Sequence, residues 1–328
     1  MNTIQSRTSC SIPCNLCGSK EVETVRSQDR HGKPLRSVIC CGCGLVWTDP
    51  RPPAEQLRLF YEREYRCSYK GTYQPRPKHA FRAGKVAVDR FRRIRPHLIP
   101  GMKLLDVGAG SGEVVYVVRA MGYDASGFEP NEGYAIYAAQ VLGVPVTQGF
   151  YQDVKIAPES QDFVTLFHAM EHLEDPYDMR VRARGWLRTQ GLLLIEVPNS
   201  EATCQQPHSQ FHQGHLYHFN LPTLESLGRR AGFEIAESGA SEDGGNITVI
   251  FRKVDTQAPS SFRIPENYRR VSSVLRSHTA FRHALSPYPY LRPFRKLAAR
   301  LEERREARAL RSGKELLDRL IHEYLKPV

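Results

Sequence analysis

Cys14-Asn-Leu-Cys17-Gly18 and Cys40-Cys41-Gly42-Cys43-Gly44 repeat one pattern, a cysteine pair two residues apart followed by glycine. Two intervening residues let a single tight turn bring both sulfurs to one cation. The glycine lets the backbone turn sharply and aim amides at the sulfurs. Four thiolates close a tetrahedral shell with no open position, which is the chemistry of a structural zinc site. The spacing predicts a zinc ribbon with Cys14, Cys17, Cys40 and Cys43 as ligands and Cys10 and Cys41 as bystanders. Buried free thiols are the alternative. Residues 21–26 and 36–39 read as a hairpin around the polar turn Asp29-Arg30-His31-Gly32. A head this short buries little core, so metal would carry much of its folding.

A second chemistry lies at Gly108-Ala-Gly110-Ser-Gly112, which follows the apolar run Lys103–Val107 and precedes a periodic segment, residues 113–121. Strand, glycine turn and helix in that order bring backbone close to a ligand at the carboxyl end of the strand. The next apolar run ends in Glu129-Pro130-Asn131. An acid there, about 20 residues past the glycines, suits a ribose diol. No lysine follows the glycines, which excludes a P-loop.

Histidine supplies the third. Of 12 histidines, His168, His172, His208, His212, His215 and His218 crowd into 51 positions. Imidazole is poised to take a proton near neutral pH. His215 ranks first as base, then His172 and His218; helix packing is the plainer reading for each. His168, Glu171 and His172 together offer a borderline metal two imidazoles and a carboxylate.

The elements that must position these residues alternate. Strands are expected at 103–107, 124–128, 144–147, 162–167 and 192–197, with helices between them. A helix at 221–231 and a hairpin with strands to Ser238 and at 246–251 follow. The pattern predicts a mainly parallel sheet with antiparallel additions. His172 follows the fourth strand, and the long insert 200–220 follows the fifth, both at the carboxyl edge where ligands bind. The insert reads as a lid.

The ordered motifs LLDVGAGSG, GFEPN, AMEHLEDP, GLLLIEVPN and AGFE resemble those of class I S-adenosylmethionine-dependent methyltransferases with a ubiquinone-biosynthesis-like core, over about residues 80–253. The cysteine head and the H-x-x-H-F segment are also similar to sugar C-methyltransferases. The resemblance implies an α/β fold: a Rossmann-like seven-stranded methyltransferase sheet with helices on both faces, a small N-terminal zinc ribbon and a C-terminal helical tail. It implies S-adenosyl-L-methionine as cofactor. Asp106, Gly108, Gly110 and Gly112 would line its methionine side and Glu129 would hold the ribose hydroxyls. Pro130, Phe150 and Tyr151 would flank the adenine, and Phe167 and His168 would lie beneath the methyl donor. In the ubiquinone-pathway enzymes the turn carries E-x-x-E-H, tied to a divalent cation; His168 takes the first position here.

Composition bounds the rest. With 41% hydrophobic and 25% charged residues the chain is neither disordered nor fibrous. No run of about 18 apolar residues is present, so no transmembrane segment is expected. The opening MNTIQSRTSCSIP holds no apolar run, which reads as cytoplasmic. Of the net charge of +11, residues 255–328 supply +8, with 16 Lys and Arg against 8 Asp and Glu. The expected organisation is a zinc ribbon at 1–60, a linker and leading helix at 61–100, the cofactor domain at 101–253 and a basic tail at 254–328. In that tail, 255–260 is a linker, 286–293 a stiff break and 294–324 one long helix. The expected function is methylation, on oxygen or carbon, of a small molecule, a sugar or sugar-nucleotide. The alternatives are an RNA methyltransferase using the ribbon and tail, or a non-catalytic scaffold that binds the cofactor. Nucleic acid is the weaker partner, because residues 14–43 balance Lys20, Arg26, Arg30, Lys33 and Arg36 against Glu21, Glu23 and Asp29. Oligomeric state is left open.

Overall fold

A computed structural model describes residues 8–66, 71–75, 77–255, 262–309 and 312–325. Cys67 and residues 256–260 of the expected linker lie outside them. The described strands form two sheets. The first has five strands: β1 (Thr8–Ser9), β2 (Glu21–Gln28), β3 (Pro34–Cys40), β4 (Val46–Thr48) and β10 (Tyr217–His218), in that order and antiparallel throughout. The second has seven: β5 (Lys103–Val107), β6 (Asp124–Glu129), β7 (Val146–Gln148), β8 (Gln161–Phe167), β9 (Leu187–Pro198), β11 (Phe233–Ala240) and β12 (Asn246–Lys253). Their order is β11-β12-β9-β8-β5-β6-β7, with β7, β6, β5 and β8 parallel and β12 antiparallel to both β9 and β11. This is the expected seven-stranded sheet. Two strands shift: β7 starts after Pro145, and β9 reaches back to Leu187, which is fully buried.

Packing divides the described residues into two compact units that interleave along the chain. One is built from residues up to Pro52, Phe167–Gly185 and Thr189–Arg292. The other is built from Pro53–Leu166, Trp186–Arg188 and the residues from Pro293 on. Segments far apart in sequence thus fall in the same compact unit.

In the first unit the ribbon is not an isolated head. Ile39 and Val46 bury themselves against Phe211 of the insert and against Val271 and Leu275 of the helix Pro265–Ser277. Polar contacts fix that helix: Tyr268 donates to Glu23 at 2.6 Å, Arg276 pairs with Glu23, and the Asn267 side chain donates to the Cys43 carbonyl at 2.8 Å. Gly44, at φ +78°, permits this approach; a Cβ there would lie 2.9 Å from the Asn267 backbone.

In the second unit the helix Gly313–Tyr324 lies on the helix Pro77–Ile94. A Cβ on Gly84 would come within 2.8 Å of Leu317 and Leu320, which are both buried. Where one helix was expected at 294–324, the described residues form two. Tyr288–Ala309 runs straight through the expected break, since Pro293 removes only one backbone donor. Ser312 then caps a new helix by accepting the Glu315 amide at 3.1 Å. No described helix is long and apolar enough to cross a membrane.

Candidate functional site

The four predicted cysteines come together. The Sγ atoms of Cys14, Cys17, Cys40 and Cys43 all lie within 4.8 Å of one another. Cys14 stands 3.4 Å from Cys43, and Cys17 stands 3.4 Å from Cys40. The edge of a tetrahedron with 2.3 Å metal–sulfur bonds is about 3.8 Å, so the cage has the size zinc requires. Gly18 and Gly44 turn at positive φ, their amides return to the Cys14 and Cys40 carbonyls at 2.9 Å, and the Gly42 amide donates to Cys40 Sγ at 3.3 Å. Cys10 and Cys41 stay outside the cage.

The glycine turn and the acid after β6 also meet. The Gly110 amide donates to Glu129 Oε2 at 2.9 Å and the Asn131 amide donates to Oε1 at 3.2 Å. Gly110 adopts φ +58°, and a Cβ there would find only Arg66 Nη2, 3.7 Å away, so space lies open above the turn. Gly149 donates to the Glu129 carbonyl at 3.1 Å, which brings Phe150 and the buried Tyr151 to the same edge, beyond Pro130. The Arg58 guanidinium stacks 4.1 Å from the Phe150 ring. Asp106, at the end of β5, is buried and accepts the Thr165 hydroxyl at 2.7 Å. Burial pushes its carboxyl up to about 7, against the opposing effect of Thr165.

Two features here had no separate reading in the sequence. Arg66 pairs with Glu129 at 3.5 Å and lies 4.5 Å over the Tyr134 ring. Asn131 donates its side-chain amide to the Glu62 carbonyl at 2.8 Å, docking the segment that carries Arg66.

His168, His172 and His215 gather in the first unit around Glu171, a carboxylate only 1% exposed. His168 Nδ1 lies 3.3 Å from Glu171 and its Nε2 lies 3.6 Å from Glu196. His168 has φ +52°, a conformation that non-glycine residues adopt at functional sites more than elsewhere, and its amide donates to the Glu196 carbonyl at 2.8 Å. His172 Nδ1 bonds the Gly214 carbonyl. A carbonyl only accepts, so Nδ1 carries the proton and, in the neutral ring, Nε2 holds the lone pair. That Nε2 lies 3.9 Å from Glu171. The His172 and His215 rings are 5.0 Å apart, and those of His212 and His215 3.9 Å. One ligand atom each from Glu171, His172 and His215 falls within 4.8 Å of the others. Burial works against the Glu171 carboxylate, but His168 and His172 outweigh it and hold it below the usual range. Burial, with His172 beside it, holds His215 well below 6.5, and burial lowers His218 to about 4. His218 packs 4.6 Å from the Phe211 ring, and its buried Nε2 has no hydrogen-bond partner among the described residues.

The insert is not an open lid. Phe211, Leu216, Tyr217 and Phe219 are essentially fully buried, and Tyr217 and His218 pair with Trp47 and Val46 of β4.

Residues 78–238 match a family described as a methyltransferase domain. The segment 78–238 is thus similar to a methyltransferase domain. A ubiquinone biosynthesis O-methyltransferase of Azorhizobium caulinodans is 29% identical to this chain over 113 residues. That alignment covers 33% of this chain and 44% of the relative's length, less than half of it. Among solved structures, a S-adenosylmethionine-dependent methyltransferase of Archaeoglobus fulgidus is 16% identical with a TM-score of 0.45, covering 58% of this chain and 98% of the other. One from Thermotoga maritima is 20% identical with a TM-score of 0.43, covering 53% and 93%. The methyltransferase domain thus spans the glycine turn, Glu129, the Glu171 turn and the buried insert, and leaves the cysteine cage outside it.

Proposed function

We propose that this chain transfers a methyl group from S-adenosylmethionine to a small-molecule acceptor, a sugar or sugar-nucleotide, on oxygen or carbon. The observation that carries the reading is the match of residues 78–238 to a methyltransferase domain. The cofactor end supports it. A carboxylate has about four acceptor positions, so the two backbone amides on Glu129 leave room for vicinal hydroxyls. The open space at Gly110 is where a cofactor would run. Gly108, Gly110 and Gly112 then line its methionine side, Glu129 holds the ribose, and Pro130, Phe150 and Tyr151 flank the adenine. Phe167 lies beneath the methyl donor, and Asp106 acts at one remove. S-adenosylmethionine, when bound, supplies an electrophilic methyl carbon on a sulfonium, whose carbon–sulfur electron pair returns to sulfur.

His172 takes the proton of the acceptor at Nε2, because its Nδ1 is committed to Gly214. The imidazolium so formed lies beside Glu171. His215, first in the sequence ranking, gives way to His172: an imidazole held well below 6.5 is a weak base. His168, between two carboxylates, orients the turn. Zinc in the cysteine cage would be structural. A second reading rests on the Glu171, His172 and His215 cluster, which could hold a divalent cation that polarises the acceptor.

The test is labelled methyl uptake across sugar-nucleotides, phenols and tRNA, with metal content measured on the same protein. Uptake by a sugar-nucleotide supports the reading. Uptake by tRNA alone would replace the acceptor, and no uptake with intact cofactor binding would leave a scaffold.

A further inference from the structure

The helix Tyr288–Ala309 sorts its charges by face. Its described acids turn to the protein. Glu303, only 6% exposed, accepts from Arg82 at 2.6 Å, and Glu302 accepts from Lys85 at 2.9 Å, both donors lying on the helix Pro77–Ile94. The bases Lys296, Arg300 and Arg305 are exposed. Among them stand Phe294, Leu297 and Leu301, which are 73%, 56% and 57% exposed. Spacings of three and four hold these three side chains within about 60° of the helix circumference, so they form one stripe. All of these residues belong to the second unit. Over residues 292–305 the sequence holds six Lys and Arg, and Glu302 and Glu303 are its only acids. A line of large apolar side chains left in water marks an interaction surface.

We propose that this face docks on an anionic lipid surface, with the stripe at the acyl-chain boundary and the bases among the headgroup phosphates. The charge decides between occupants. A second copy packed stripe to stripe would bring Lys296 and Arg300 near their own equivalents, while Glu302 and Glu303, which could answer them, are engaged on the helix Pro77–Ile94. A nucleic acid would answer the bases and leave the stripe in water. A headgroup layer over acyl chains answers both, since long basic side chains keep their charges at the phosphates while their stems lie along the apolar surface. The contact is attachment to the surface, independent of the methyl acceptor.

The test floats the full chain with two sets of vesicles, phosphatidylcholine mixed with phosphatidylglycerol and phosphatidylcholine alone. Wild type should bind the mixed vesicles at least about tenfold more tightly, and added salt should weaken that binding. Arg300→Gln should lose about fivefold on the mixed vesicles, the share of one charge near an anionic surface. Phe294→Ser combined with Leu297→Ser should lose at least about tenfold, with an unchanged unfolding midpoint because both side chains are exposed. Equal binding to both vesicle sets, or binding to neither, would overturn the proposal. Full binding by the double variant would overturn it by placing the contact elsewhere. A wild-type dimer in sedimentation that the double variant loses would give the face to a second copy, and binding of an RNA oligonucleotide in place of the mixed vesicles would give it to nucleic acid; either overturns the proposal. Should the double variant not fold, the comparison of Arg300→Gln with wild type on the two vesicle sets decides alone.

Discussion

His218 stands opposite Val46 in the antiparallel ladder of β10 and β4. A two-residue strand has no independent stability, so β10 exists because β4 offers it a partner. The cysteine ribbon therefore frames the histidine segment. Chelating the metal, or Cys43→Ser, should open the cage, loosen β4 and abolish methyl transfer. Cofactor affinity should change by less than about threefold, because Glu129 and Gly110 belong to the other unit. Metal analysis, transfer rate and cofactor titration on one preparation check this; full transfer by metal-free protein would refute it.

Glu129→Ala should weaken S-adenosylhomocysteine binding by about 10- to 150-fold, since a carboxylate bond to a hydroxyl is worth about 1.5–3 kcal/mol. It also strips the Gly110 and Asn131 amides of their acceptor. Glu129→Gln keeps one carbonyl oxygen and should lose less. Calorimetry on both variants measures the order, and equal affinity in wild type and Glu129→Ala would mean the ribose lies elsewhere.

His172→Ala should lower turnover by about 10²–10⁴ with little change in cofactor affinity. His215→Ala should lower it less, since burial leaves that imidazole a weak base. Single-turnover rates on a confirmed acceptor separate the two. The reverse order would return the base to His215.

Acid should destabilise the chain earlier than carboxylate titration alone would. His218 is lowered from 6.5 to about 4 by burial. Its folded value lies below its unfolded one, so the unfolded chain binds the extra proton first as pH falls. The contribution is intact above pH 6.5, declines from there and is lost by about pH 4, at up to about 1.4 kcal/mol per pH unit. His218→Phe removes the titration and the unsatisfied Nε2. Its urea midpoint should depend less on pH between 6.5 and 4. An unchanged slope would assign the acid sensitivity to other groups.

The sequence made the local features legible. The cysteine cage follows from a two-residue spacing, and the strand, glycine turn and acid follow from runs of five or six residues. Contacts made across long stretches of chain escaped it. Two residues cannot display a period, so Tyr217 and His218 read as loop, 170 positions from the strand they join. Arg66 sits in Phe60-Tyr-Glu-Arg-Glu-Tyr-Arg66, whose charges suggest a solvated helix face. The tail's basic composition hid two different destinations, Val271 on the ribbon and Leu317 on the helix that carries Gly84. His215 ranked first by position alone; its burial, which lowers its basicity, is a property of packing.

The chain interleaves its two units, returning to the first after Leu166 and again after Arg188. For anyone recombining such proteins, this fixes the grammar of exchange. A graft of the cysteine ribbon alone would arrive without Phe211, Val271 and the β10 strand that complete it. A cut at Pro52 would part Ile39 and Val46 from Phe211 and Val271, against which they pack. The transferable piece is a set of three discontinuous segments, so its parts must diverge in step or be replaced together.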